Sequence, residues 1–390
     1  MDITQLKCPK EKSCRKAKDR MLSVDVIKFI ATNCIIFLHY QQFTETVFDQ
    51  GINFFYGALH TDFIVELFFV ISGVLEWNSF IKHNEGFGRY FFGKVLRIMP
   101  LVPISFILFQ ISLLVYARLT GDLSPDIGGR ELNILETISP WRLIVEISGT
   151  DNIVFDPSVH STSWYVSILM FCYVIFFFAN WFSKKANISV DVVFITIIIV
   201  ALGMDSYGET MPFNTPFLRR GLYSFFGGVL FEKNIYSRYH ERGLYSKILF
   251  LFCVATIIYY IFAFHIISFD GAQIVYGKKY FFALIIAPMI LFVMGCIDCL
   301  NYENNSLRIH IRTIFKFLSE CSYSVFLLHF PLLFFAIDLS IVLGRSLSSM
   351  KAMILFTLGA WIGSVFAHVL FERRIRKVMN DTVLKCFGRT

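Results

Sequence analysis

Long apolar runs, separated by short polar stretches rich in basic and turn-forming residues, recur from one end of the chain to the other. Windows of about 19 residues, enough helix to cross roughly 30 Å of hydrocarbon, pick out candidate spans. Ten are found, near 23–42, 62–81, 97–117, 164–183, 187–204, 216–232, 247–267, 280–299, 316–341 and 350–371, with 216–232 the least distinct. In lipid such runs close their backbone hydrogen bonds as helices. The pattern predicts an all-α integral membrane protein of about ten transmembrane helices. One transmembrane domain, 23–371, lies between tails 1–22 and 372–390.

Composition agrees: 56% of residues are hydrophobic and 17% aromatic, with a mean hydropathy of +0.61, beyond a soluble globular domain. Charge then orients the spans, because Lys and Arg of short loops stay on the cytoplasmic side. With the N-terminus inside, 26 basic residues fall in the six cytoplasmic segments, 9 in the five outer loops, and Lys28 alone within a span. Both termini are therefore expected in the cytoplasm, as an even number of spans requires, in a plasma membrane of the bacterial inner-membrane type. The net charge of +7 sits mainly at span ends, where topology demands it, so nucleic acid is not an expected partner. The first run has full span length and no small-residue cleavage site after it, against a cleaved signal peptide.

Nine cysteines are scattered without a disulfide framework. Cys296 and Cys299 have C-x-x-C spacing but no second pair to complete a tetrahedral site, so no metal is expected. The longest loop, roughly 118–163, is acidic and turn-rich from Gly121 to Glu131 and is expected outside, as a cover over an acceptor site or a passive connector. No internal repeat or matched pair of broken half-helices marks a secondary transporter. Gly359 and Gly363 form a small-xxx-small pattern that helix packing explains.

Ionisable groups at membrane depth cost roughly 2.5 to 3.5 kcal/mol each on insertion scales, so each needs a reason. The clearest are Lys28, His39 and Glu66. Eleven steps of about 100° bring Lys28 and His39 to one helix face, roughly 16 Å apart along the axis, the lysine toward the cytoplasm. Taken singly, Lys28 reads as a snorkelling lysine and His39 as part of an interfacial aromatic belt beside Tyr40.

Five ordered blocks change that. Asp25-Val-Ile-Lys28, ten residues and then His39 resembles the first-span signature of the membrane acyltransferase 3 family, an Asp-x-x followed by arginine, ten residues and histidine. Glu66-Leu-Phe-Phe-Val-Ile-Ser72-Gly73 resembles the family's second-span block, and Lys94-Val-Leu-Arg97-Ile-Met-Pro100 its basic block in the next cytoplasmic loop. Ser163-Trp164-Tyr165 to Tyr173 resembles the Trp-led fourth span, and Ser322-Tyr323-Ser324-Val-Phe-Leu-Leu-His329 the ninth. The resemblance covers essentially the whole chain. Two departures stand out: Lys28 replaces the usual arginine, losing the bidentate fork, and Leu169 stands where many members carry glutamate. The resemblance is to the family's short, membrane-only branch, in which no hydrolase-like domain is expected after the last span.

The resemblance implies transfer of an acyl group, often acetyl, from an acyl-coenzyme A donor to a hydroxyl on a carbohydrate or lipid-linked glycan acceptor at the lipid bilayer. A hydroxyl needs a base during attack, and neutral imidazole suits near pH 7. His39 is the candidate, as general base or as transient acyl carrier. Lys28 would steer the donor, and Glu66 would hold a basic partner such as Lys28 or orient His39. Arg89, Lys94 and Arg97 form a cytoplasmic cationic cluster suited to coenzyme A phosphates, though topology alone explains their sign. Ser72 and Gly73 allow either close donor approach or helix packing; Trp164 and Tyr165 either stack on a sugar or join the aromatic belt. His329 is a further substrate-site candidate. A proton-coupled carrier and a non-catalytic scaffold remain the competing readings.

Overall fold

The computed structural model describes residues 22–48, 63–81, 86–124, 133–148, 162–204, 215–236, 244–263, 279–300, 306–375 and 378. The basic N-terminal tail, most of the acidic Gly121–Glu131 stretch and the basic residues from 376 onward lie outside them. Among the described residues there is no strand. The helices are α1 (Leu22–Phe48), α2 (Ile64–Phe80), α3 (Phe87–Ile98), α4 (Val102–Thr120), α5 (Ile134–Thr137), α6 (Pro140–Ser148) and α7 (Ser163–Ala186). There follow α8 (Val190–Gly203), α9 (Pro216–Phe231), α10 (Leu244–Ala263), α11 (Ala287–Leu300), α12 (Ser306–Leu343) and α13 (Met350–Ala367). Each expected span falls on a helix. Among the described residues, seven helical segments are long and apolar enough to cross a membrane: α1, α3 running into α4, α7, α10, α11 with the turns before it, α12 and α13. The other three expected spans fall on α2, α8 and α9, of 17, 14 and 16 residues.

The expected loop between the second and third spans is mostly helical. α3 carries Arg89, Lys94 and Arg97 interleaved with buried Tyr90, Leu96 and Ile98. It ends in a 3-10 turn at Met99–Leu101 with Pro100 inside, and the Tyr323 hydroxyl, at 2.5 Å, donates to the Ile98 carbonyl there.

α12 packs against α1, α4 and α13, while α9 packs against α2, α7 and α8. Phe29 meets Phe315, ring centroids 5.8 Å apart, and His39 meets His329, so α1 and α12 run parallel. Ser105 against Leu327 and Phe109 against Phe330 give α4 the same direction. An up-and-down order gives this direction to the first, third and ninth expected spans. α2 and α9 cross with backbones in contact, because both supply glycine at the crossing. A Cβ built on Gly73 would meet the Phe225 carbonyl oxygen at 2.1 Å, and one on Gly228 the Val70 oxygen at 2.2 Å. Gly359 differs from the packing role expected of it, with nothing within 4 Å of its Cβ position.

Candidate active site

Pro331 shapes the middle of α12. Having no N–H, it leaves the Leu327 carbonyl without its i+4 donor. Ser105 of α4 supplies the missing bond, its hydroxyl donating to Leu327 O at 2.6 Å. Two residues before this proline lies His329, fully buried. Its Nδ1 is 3.1 Å from the Val325 carbonyl oxygen, which can only accept, so the proton belongs on Nδ1 and Nε2 is the acceptor. That Nε2 is 2.8 Å from His39 Nδ1. The rings lie nearly parallel, 8° apart with centroids at 5.1 Å, and Phe330 meets His39 edge-on. The chain of bonds fixes both tautomers: His39 carries its proton on Nδ1, and its Nε2 becomes the basic nitrogen.

Lys28 is half-buried on α1, three turns of helix before His39, and its carbonyl accepts from the Thr32 hydroxyl at 2.8 Å. Farther along, Asn33 accepts from the Trp361 indole at 3.1 Å and the Tyr40 hydroxyl donates to Leu347 O at 2.6 Å. These bonds fasten α1 to α13 and to the turn before it on either side of the histidine.

Glu66, expected to serve Lys28 or His39, is held instead by Arg220 of α9. The guanidinium donates from Nε to Oε1 at 2.6 Å and from Nη2 to Oε2 at 3.1 Å, while its carbon sits 5.3 Å over the Trp164 ring. Trp164 also packs on Phe217 at 4.6 Å. Arg220 belongs to none of the sequence blocks, although Arg219-Arg220 in an apolar helix already asks for an acidic partner.

Ser72 and Tyr165 share a hydroxyl–hydroxyl bond of 3.2 Å. The Tyr165 ring packs on Phe326 at 5.1 Å, and Phe326 lies 6.2 Å from His329, so this pair and the histidines flank one phenylalanine. Gly73 offers no donor approach, since α9 occupies the space above it.

In the basic cluster, Arg97 is exposed and Arg89 half-buried. Lys94 forms an ion pair with Glu76, a buried carboxylate of α2, and sits over the rings of Tyr90 and Tyr173 at 5.2 and 4.8 Å. Its ammonium is thereby engaged by a carboxylate and two aromatic faces. Glu76 lies within the expected second span and was missed there.

A second buried polar group joins α12 to the helical turns His368–Glu372 that continue α13. Ser324 donates to Glu372, whose Oε2 also takes the His368 Nδ1 proton at 2.7 Å, and Arg373 Nε donates to His368 Nε2 at 3.3 Å. Both histidine nitrogens are thus engaged and the serine proton goes to the carboxylate, so this Ser-His-Glu set clamps two helices rather than arming a nucleophile. Among the described residues no three His, Cys, Asp or Glu side chains gather as a metal site.

Among known proteins, a family model described as an acyltransferase domain, acyltransferase 3, matches residues 21–372. No curated protein and no solved structure matches the chain.

Proposed function

The chain belongs to the acyltransferase 3 family and is a multi-pass membrane acyltransferase, and on that premise we propose that it carries an acyl group, acetyl by default, from acyl-coenzyme A to a hydroxyl of a sugar or cell-envelope glycan precursor. The observation that carries this reading is the His39–His329 bond, which readies one imidazole nitrogen as a base. As the acceptor oxygen attacks the thioester carbonyl, its proton passes to His39 Nε2. The resulting imidazolium donates its Nδ1–H to His329, and this acceptor favours the charged form. Collapse of the tetrahedral intermediate breaks the C–S bond, and the thiolate takes the proton back from His39. The products are the ester and free coenzyme A. In the alternative route His39 Nε2 attacks first and passes the acyl group on from an acyl-imidazole.

Lys28, one charge on the same helix, steers the donor from the cytoplasmic side, where coenzyme A is made. Arg97, exposed, is the better placed of the basic residues for a phosphate, with Arg89 beside it; Lys94 would have to exchange Glu76 for one. Trp164 and Tyr165 line the acceptor side. The membrane is taken as the plasma membrane, with both basic termini in the cytoplasm.

Membranes with and without the protein, given radiolabelled acetyl-CoA, test the reading. Base-labile label in the envelope glycans only when the protein is present supports it, and mass spectrometry of the same glycans then identifies acyl group and acceptor. Equal labelling in both would contradict it.

A further inference from the structure

The long loop expected between the third and fourth spans turns an apolar side outward. Leu135 and Ile138 lie one helical turn apart, as do Trp141 and Ile144 in α6, and the four side chains are between 39% and 65% exposed. Beneath them Ile134, Val145 and Glu146 are buried against the rest of the protein. A contiguous apolar surface of this kind marks an interaction site.

Its position says which partner it meets. The Ile134 N–H donates to the Leu123 carbonyl at 3.0 Å, just past the end of α4, and the Thr137 hydroxyl then lies 3.3 Å from the Gln110 amide oxygen. Gln110 stands about 15 Å of helix before Thr120, the last residue of α4. α5 therefore folds back alongside the span instead of standing above it. On the surface of α4 the neighbours of Gln110 are Ile107 and Leu114, one turn to either side. Both are exposed apolar side chains of a segment long enough to cross a membrane. The outward side of α5 continues that lipid-facing surface, and α6 carries it on to α7, where the Ser163 hydroxyl donates to Glu146 at 2.8 Å.

The backbone is closed for the same setting. From Ile134 to Ser139 every N–H has an acceptor: the Leu123 carbonyl, Asn133 Oδ1 for both Leu135 and Glu136, and the carbonyls of Asn133, Ile134 and Glu136 for the next three. Pro140 has no N–H to place, and that of Arg142 goes to the Ser139 hydroxyl at 3.2 Å. Water would make such closure unnecessary, whereas acyl chains demand it. Trp141, with an apolar ring and one N–H, is the side chain best suited to the boundary between headgroups and chains.

We propose that α5 and α6 form an interfacial segment seated in the bilayer on the side away from Arg97, with Leu135, Ile138, Trp141 and Ile144 against the phospholipid chains of that leaflet. The partner is the phospholipid surface itself. This goes beyond the transferase reading and does not depend on it.

Purified full-length protein in phosphatidylcholine nanodiscs tests the seating through Trp141, whose emission is the difference between the parent and Trp141→Phe. Replacing the lipid by phosphatidylcholine brominated in the upper part of its chains should lower that difference signal roughly twofold or more, as expected for a ring at the acyl boundary. Absence of quenching by the brominated lipid overturns the proposal. Quenching by aqueous iodide in its place would put α6 in water, and quenching by neither would put protein over the face, a second copy or another segment of this chain. Ile144→Trp, read as the emission it adds to the parent, reports on the same face one turn along and decides the matter where Trp141→Phe does not fold.

Discussion

Arg220 grips Glu66 through two parallel hydrogen bonds, of 2.6 and 3.1 Å, joining α9 to the first turn of α2. Glu66 is fully buried and Arg220 partly so. Removing one partner from such a pair strands the other charge, at about 3 to 5 kcal/mol. Glu66→Ala is therefore expected to lower the melting temperature of the purified protein sharply, and Arg220→Ala to do the same. The double variant should recover part of the loss. If the two losses simply add, the pair is not coupled as described.

Glycines at the α2–α9 crossing and in α13 should respond in opposite ways. Gly73→Ala and Gly228→Ala would drive a methyl group into backbone carbonyls of the facing helix. Overpacking of that kind costs about 1 to 3 kcal/mol or more, and folded protein in membranes should fall accordingly. Gly359→Ala meets open space and should stay within about 0.5 kcal/mol of the parent. Equal tolerance at all three positions would contradict the crossing.

Ser105 answers a vacancy that Pro331 creates. Ser105→Ala leaves the Leu327 carbonyl unpaired and should cost about 1 to 3 kcal/mol. In a Pro331→Ala background residue 331 regains its N–H, and the same serine change should cost much less. A double-mutant cycle by thermal melting measures the difference; an unchanged Ser105→Ala penalty would separate the two residues.

His329 acts through His39 and is expected to behave as a positioning residue. His329→Ala should lower kcat roughly 10- to 100-fold with little change in KM for acetyl-CoA, because His39 loses the partner that holds its ring and its Nδ1 proton in place. His329→Gln, whose amide oxygen can accept from Nδ1, should recover part of the rate. A purely structural histidine would change the amount of folded protein and leave kcat per folded molecule where it is, with no rescue by His329→Gln.

What the sequence made legible follows from which signals are local. Span positions depend on apolar run length, which the chain states outright, and all ten runs fall on helices. The Lys28–His39 relation depends only on helical period. Pairings between distant spans are another matter. Nothing in the spacing of Glu66 tells that Arg220, 154 residues later, takes its carboxylate, or that Glu76 takes Lys94. Each needed the fold to choose among several buried charges. The ninth-span block separates only in three dimensions: Tyr323 and Ser324 tie helices together, whereas His329 reaches the candidate base. The segment carrying Lys94 and Arg97 stands out by its charge, and only the fold shows that it is the helix α3.

The most direct measurement is acyl transfer by His39→Ala. Parent and variant, matched for folded protein, are given radiolabelled acetyl-CoA and the membrane acceptor, and ester-linked label is followed with time. Loss of a general base lowers the rate by about 10² to 10⁴, so transfer at least ~100-fold slower than in the parent is expected. Label appearing in the acceptor as fast from His39→Ala as from the parent would remove the imidazole from the chemistry.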